Sequence, residues 1–143
     1  MRILILCTGN SCRSQMAEGF LKEFDNNMEI FSAGTKPSHE VHPKAIKVMD
    51  DIGIDLTEYK PESVDKYINQ SFDYVITVCG SAKESCPAFI GDVKNNIHIG
   101  FKDPADATGT EEEILDEFRS IRDEIKLDFF DFYNKECAGS PSE

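Results

Sequence analysis

Near its start the chain strings together Cys7-Thr8-Gly9-Asn10-Ser11-Cys12-Arg13-Ser14, a thiol and a guanidinium separated by five residues. The apolar run of residues 2–6 before it reads as a buried strand. From Ser14 onward Met16, Ala17, Phe20, Leu21 and Phe24 recur at the spacing of an amphipathic helix. A loop entering a helix presents backbone N–H groups that have no helical partner. Gly9 and Asn10 tolerate left-handed backbone angles, so Thr8 to Cys12 can curl their amides inward into an anion nest. Arg13 adds a planar fork of donors matched to a tetrahedral oxyanion. The same field acts on sulfur: helix N-termini and neighbouring cations lower a thiol pKa to about 3.5–7.5. Cys7 is therefore expected as a thiolate held against the central atom of a bound oxyanion, with Ser14 donating a hydrogen bond to it. The plain alternative is a buried cysteine in a strand-to-helix turn. No Gly-x4-Gly-Lys-Ser/Thr pattern is present, so ATP or GTP hydrolysis is not expected.

The elements that must position this loop follow from periodicity. After the first strand and helix, residues 28–34 read as a strand stopping at Gly34, and residues 35–42 as a loop. Pro43 opens a helix with Ala45, Ile46, Val48, Met49 and Ile52 on its buried face, and Gly53 ends it. A short helix is expected between Pro61 and Ile68. Residues 72–78 form a β-branched and aromatic strand, and 96–101 a further one. Residues 111–133 form the longest helix, capped by Thr110 and opened by Glu111, Glu112 and Glu113. Alternation of strand and helix implies an α/β fold: a three-layer sandwich with a central four-stranded parallel sheet and helices on both faces. One domain is expected over residues 1–135, with a flexible tail over 136–143. In such sheets ligands sit outside the carboxyl ends of the strands. Cys7, Cys79 and Asp103 each follow a strand, so the three are expected at one sheet edge.

The formal charge of −12 argues against nucleic acid or an anionic membrane surface as partner. It also means that an anionic substrate must be won by a small local positive site. No apolar run approaches the ~20 residues of a membrane span, and the N-terminal one is too short for a signal peptide. The chain is read as a cytoplasmic monomer. Five cysteines without a secretory signal do not suggest a structural disulfide framework, and redox or catalytic use comes into consideration. The spacing of Cys79 and Cys86 is not that of a zinc site, and no His lies close to either pair of cysteines. Cys12 is expected to be structural, Cys137 incidental, and His39, His42 and His98 surface, capping or structural residues.

The stretch "CTGNSCRSQMAEG" resembles the signature of the low-molecular-weight protein tyrosine phosphatase fold, and the whole pattern is most similar to the thioredoxin-coupled arsenate reductases of that fold. The other matching pieces are "FSAG", "HPKAI", "VCGSAKESCP", "GFKDPA" and "RSIRDEIK", so the resemblance runs from Cys7 to about Lys126. It implies arsenate reduction by three thiols. Cys7 attacks arsenate, Cys79 displaces arsenite by forming a disulfide with Cys7, and Cys86 takes over Cys79 to leave a disulfide for thioredoxin. It implies Asp103, followed by Pro104, as general acid. Phosphatases of the fold usually carry Tyr after this Pro; Ala105 stands here, which favours the small inorganic ion over aryl phosphate. It also implies potassium near the loop, at positions matching Asn10, Glu18 and Ser32, with Glu62 at a loosely aligned fourth position. The segment "CGSAKESC" is expected to be helical when reduced and looped when oxidised. Two rival readings remain open: a phosphatase acting through a cysteinyl-phosphate, and a non-enzymatic thiol redox sensor.

Overall fold

The computed structural model describes residues 1–79 and 91–137. Four strands, β1 (Arg2–Cys7), β2 (Glu29–Gly34), β3 (Ser71–Thr77) and β4 (Asp92–His98), form one sheet in the order β2-β1-β3-β4. Every pairing is parallel. Parallel neighbours need crossover connections. Among the described residues three α-helices take part: α1 (Arg13–Phe24), α2 (Pro43–Asp50) and α3 (Glu111–Phe132).

β1 lies at the centre and is buried on both faces, which is why residues 3–6 are apolar without alternation. Ile3, Ile5 and Cys7 face a large core with Met16, Phe20, Val48, Phe118, Ile125 and Phe129 from the three α-helices. Leu4 and Leu6 face a smaller core with Ala33, Tyr67, Phe72 and Val75. Among the described residues this second face is covered by the 3-10 turn Val64–Lys66 and its flanks. The three layers expected from the sequence are present, with the described α-helices gathered on one side. The short helix expected after Pro61 is that single 3-10 turn, capped by Ser63.

The last strand differs from expectation. It runs from Asp92 to His98 rather than 96–101, and most of its residues are exposed. β4 is the edge of the sheet, so Asp92, Lys94, Asn95 and Asn96 lie in solvent while still pairing with β3. Apolar content therefore understates the strand. Beyond it the chain curls over the end of β3, where the Ile99 and Phe101 amides donate to the Thr77 and Val78 carbonyls at 2.9 and 3.1 Å. This curl buries Phe101 and brings Asp103 back over the first loop.

Helix boundaries follow local chemistry. Gly53, at φ 85°, ends α2, and Ile54 donates back to the Met49 carbonyl at 2.9 Å. Thr110 and Glu113 form a reciprocal capping box at the start of α3. Past α3 the chain stays helical through Tyr133–Cys137, where Tyr74 donates to Glu136. The tail expected to be flexible lies, from residue 138, outside the described residues.

Candidate active site

The loop from Thr8 to Cys12 is shaped from behind by the segment after β2. The Thr35, Lys36, Ser38 and His42 amides donate to the carbonyls of Cys7, Thr8, Gly9 and Ser11 at 3.4, 3.0, 2.8 and 2.9 Å. In a planar trans peptide the carbonyl and the following N–H point in opposite directions. Each carbonyl held outward therefore turns the next amide, those of Thr8, Gly9, Asn10 and Cys12, toward the cavity side. Gly34 is what lets the two segments meet. A Cβ there would lie 2.3 Å from the Thr8 carbonyl oxygen.

Asn10 sits at φ 53° and is fully buried. Its Nδ2 donates to Ser14 Oγ at 2.7 Å and Ser32 Oγ at 2.9 Å. Its Oδ1 accepts from Gln15 Nε2 at 3.1 Å and from the Glu62 amide at 2.9 Å. Because Ser14 Oγ accepts from Asn10, its proton is available for Cys7 Sγ, 3.0 Å away. The Asn10 amide donates to the same sulfur at 3.2 Å. Two donors thus fix Cys7 Sγ at the floor of a cavity of about 510 Å³. The expected bond from Ser14 to the sulfur is present.

Arg13 is the first residue of α1, and its side chain is only 4% exposed. Nη1 donates to the Phe101 carbonyl at 3.0 Å, and Nη2 lies 3.4 Å from Asp103 Oδ2. The other Asp103 oxygen accepts from the Ala105 amide at 3.0 Å. Cys7, Arg13 and Asp103 all line the cavity, with Thr8, Gly9, Asn10, Ser11 and Cys12 around the base. Cys12 supplies no side-chain cap to α1, and the helix has no acidic residue in its first turn. The positive end of the helix is thus left for an anion.

The other cysteines divide. Cys12 is buried and its thiol is pushed up to about 12, chiefly by burial, so it stays protonated at neutral pH. Cys79 is buried in the same core as Cys7, just past β3, where the Val78 amide pairs with the Leu6 carbonyl at 3.0 Å. It is disulfide-bonded, whereas Cys7, Cys12 and Cys137 carry free thiols. Cys86, and the redox-dependent folding expected of residues 79–86, lie outside the described residues. Cys137 packs against Met1, with Sγ 3.5 Å from the thioether sulfur.

Asn10, Glu18 and Ser32 do converge. Ser32 Oγ donates to Glu18 Oε1 at 2.6 Å, while Glu18 Oε2 pairs with Lys22 at 2.6 Å. Glu18, Ser32, Glu62 and Gln15 line a second cavity of about 340 Å³. Gln15 Oε1 is buried there with no partner among the described residues, an acceptor that fits a hard cation. The Asn10 oxygen is already taken by two N–H donors.

Several residues of the site were not legible in the sequence. Gln15 donates to the Asn10 and Lys60 carbonyls at 3.0 and 3.2 Å, tying the loop to a distant segment. Thr35, Lys36 and Ser38 form a cavity wall. The Phe101 carbonyl that anchors Arg13 is a main-chain atom and leaves no signal in residue type.

Comparison with known proteins agrees with this geometry. Residues 2–136 match the family described as low molecular weight phosphotyrosine protein phosphatase. An arsenate reductase of Halalkalibacterium halodurans is 48% identical over 86% of this chain and 88% of its own length. That of Bacillus subtilis is 45% identical over the same shares, and that of Staphylococcus aureus strain Newman 39% over 93% and 96%. A solved arsenate reductase in the phosphate binding state superposes with a TM-score of 0.78 at 29% identity, covering 94% of this chain and 97% of that one. A thioredoxin-dependent arsenate reductase of Corynebacterium glutamicum shares the fold, with a TM-score of 0.56 at 22% identity over 90% of this chain and 61% of its own. With the loop, the sheet order and the relatives in agreement, the chain belongs to the low molecular weight phosphotyrosine protein phosphatase family, on the side of it that holds these arsenate reductases.

Proposed function

We propose that the chain reduces arsenate to arsenite through a relay of Cys7, Cys79 and Cys86, with thioredoxin as electron donor. The observation that carries the reading is the placement of Cys7 Sγ. It sits at the floor of an amide-lined cavity, under two hydrogen-bond donors, with Arg13 and Asp103 on the wall. Amides of the loop and the Arg13 fork bind the oxyanion. Cys7 sulfur attacks arsenic, and an arsenate oxygen leaves as water with a proton passed on by Asp103 as general acid. Cys79 thiolate then attacks Cys7 sulfur. The S–As bond breaks, its electron pair stays on arsenic, and arsenite leaves as a Cys7–Cys79 disulfide forms. Cys86 thiolate attacks Cys79 sulfur and releases Cys7 as thiolate. A thioredoxin dithiol reduces the resulting Cys79–Cys86 disulfide. The burial of Cys79 in the Cys7 core supports the first exchange.

Potassium belongs to the same reading. Glu18, Ser32 and the unpartnered Gln15 oxygen would hold it, with Glu62 at the rim and Asn10 connected through Ser32. A cation bound there would supply positive charge that steadies Asn10 and, through it, the loop. Potassium chloride is expected to raise the melting temperature of the wild type above its value in choline chloride at equal ionic strength. Glu18→Gln should remove that difference.

A phosphatase of the same fold is the second reading, favoured by a cradle whose donors match any tetrahedral oxyanion. One experiment separates the two. Arsenate, thioredoxin, thioredoxin reductase and NADPH are supplied, and NADPH loss is followed in wild type and Cys86→Ser. Sustained turnover is expected in the wild type and at most a single turnover in the variant. Wild type that is inert here yet hydrolyses an aryl phosphate briskly would overturn the reductase reading.

A further inference from the structure

The charge balance of the cavity wall singles out a residue with no role in the relay. The chain carries −12 overall, so an approaching oxyanion meets a repulsive field until it enters a locally positive region. Inside the cavity the Arg13 guanidinium is engaged by the Phe101 carbonyl at 3.0 Å and by Asp103, 3.4 Å from Nη2. An ionised Asp103 cancels much of that charge at a distance. Lys36 is the other cation lining the cavity among the described residues. It lies on the wall formed by the segment after β2, it is exposed, and it forms no ion pair among the described residues. Nearby lysines are committed elsewhere: Lys102 to Glu117 at 3.2 Å and Lys44 to Glu111 at 2.8 Å.

We infer that the Lys36 ammonium recruits the oxyanion, making it a substrate-binding residue that sets capture of arsenate and of competing phosphate without entering the chemistry. Among the described lining residues Arg13 and Lys36 are the two cations, so loss of the Lys36 ammonium removes one of the two positive charges facing an incoming anion in a strongly acidic protein. The backbone of Lys36 holds the Thr8 carbonyl at 3.0 Å whatever its side chain, so substitution leaves the cradle in place. An exposed ammonium acts through a field that salt screens within about 8 Å at physiological ionic strength. Its contribution must therefore fade as salt rises.

The inference rests on the oxyanion-binding half of the proposed function, and its test separates the two. In the coupled assay at saturating thioredoxin and low salt, Lys36→Gln is expected to lower kcat/KM for arsenate about three- to ten-fold, with kcat within two-fold of wild type. Lys36→Glu should lower it further, Lys36→Arg should restore it, and the gap between wild type and Lys36→Gln should close at high salt. In a second measurement, inorganic phosphate protects Cys7 from iodoacetamide. The half-protecting concentration should rise by a similar factor in Lys36→Gln. This arm holds even if wild type fails to reduce arsenate, an outcome that would sink the reductase reading alone. Equal kcat/KM and equal protection in wild type and Lys36→Gln overturns the inference. So does a loss confined to kcat, or one that salt does not diminish.

Discussion

Asn10 carries more of the active loop than either reactive residue beside it. One side chain, wholly buried, satisfies two hydroxyls on one side and an amide and a glutamine on the other. Its left-handed φ turns its own N–H onto the Cys7 sulfur. Neutral hydrogen bonds contribute about 1 kcal/mol each net, but orphaning buried partners costs about 1–3 kcal/mol. Asn10→Ala is therefore expected to lose about 2–4 kcal/mol in urea denaturation. It should also slow arsenate reduction by well over ten-fold, because Ser14 and the sulfur lose their common anchor. Unchanged kinetics in a folded variant would contradict this account. Cys12 makes the opposite point: in the same loop, burial above all pushes a thiol up to about 12 and out of the chemistry.

At the scale of elements, the loop is stiff because the start of α2 is tied to it. His42 N-caps α2 by accepting from the Lys44 amide at its Nδ1, 3.1 Å away, while its own amide donates to the Ser11 carbonyl. Its ring packs 4.8 Å from that of Phe118 on α3. Only an unprotonated Nδ1 can accept, and desolvation, aided by Lys44, lowers the His42 pKa below the ordinary 6.5. The unfolded chain then takes up the proton more readily than the folded one. The stabilisation is present above pH 6.5 and is lost as pH falls through the lower folded value. His42→Asn keeps a capping acceptor that does not titrate. The melting temperature of wild type is expected to fall more steeply than that of His42→Asn as pH drops below 6.5. Parallel profiles would refute the linkage.

Across the whole molecule, core packing and site geometry are one system. Phe129 on α3 is fully buried and stacks on Phe101 at 6.1 Å. Phe101 in turn offers the carbonyl that anchors Arg13. Emptying a buried phenylalanine position costs about 3–5 kcal/mol. Phe129→Ala should lose about that much in urea denaturation. It should also raise KM for arsenate, although residue 129 does not line the active cavity, because Phe101 gains room to move. A stability loss with KM unchanged would show that the Arg13 anchor is independent of the core.

The sequence by itself determined the loop chemistry and most of the fold. A thiol, a glycine, an asparagine and an arginine between an apolar run and a 3.6-residue period are all local facts, and their types are enough to announce an anion nest. Periodicity likewise placed β1, β2, β3 and all three α-helices to within a few residues, since each buries a face that its own residues declare. What it misplaced was β4, whose polar residues are exposed because it is the sheet edge, a position set by its neighbours. Only the tertiary structure decided that residues 35–42 turn the loop carbonyls outward and that a main-chain oxygen at Phe101 fixes Arg13. It alone set Lys36 on the cavity wall. These contacts join segments far apart in the chain through backbone atoms that every residue carries, so no pattern of residue types could announce them.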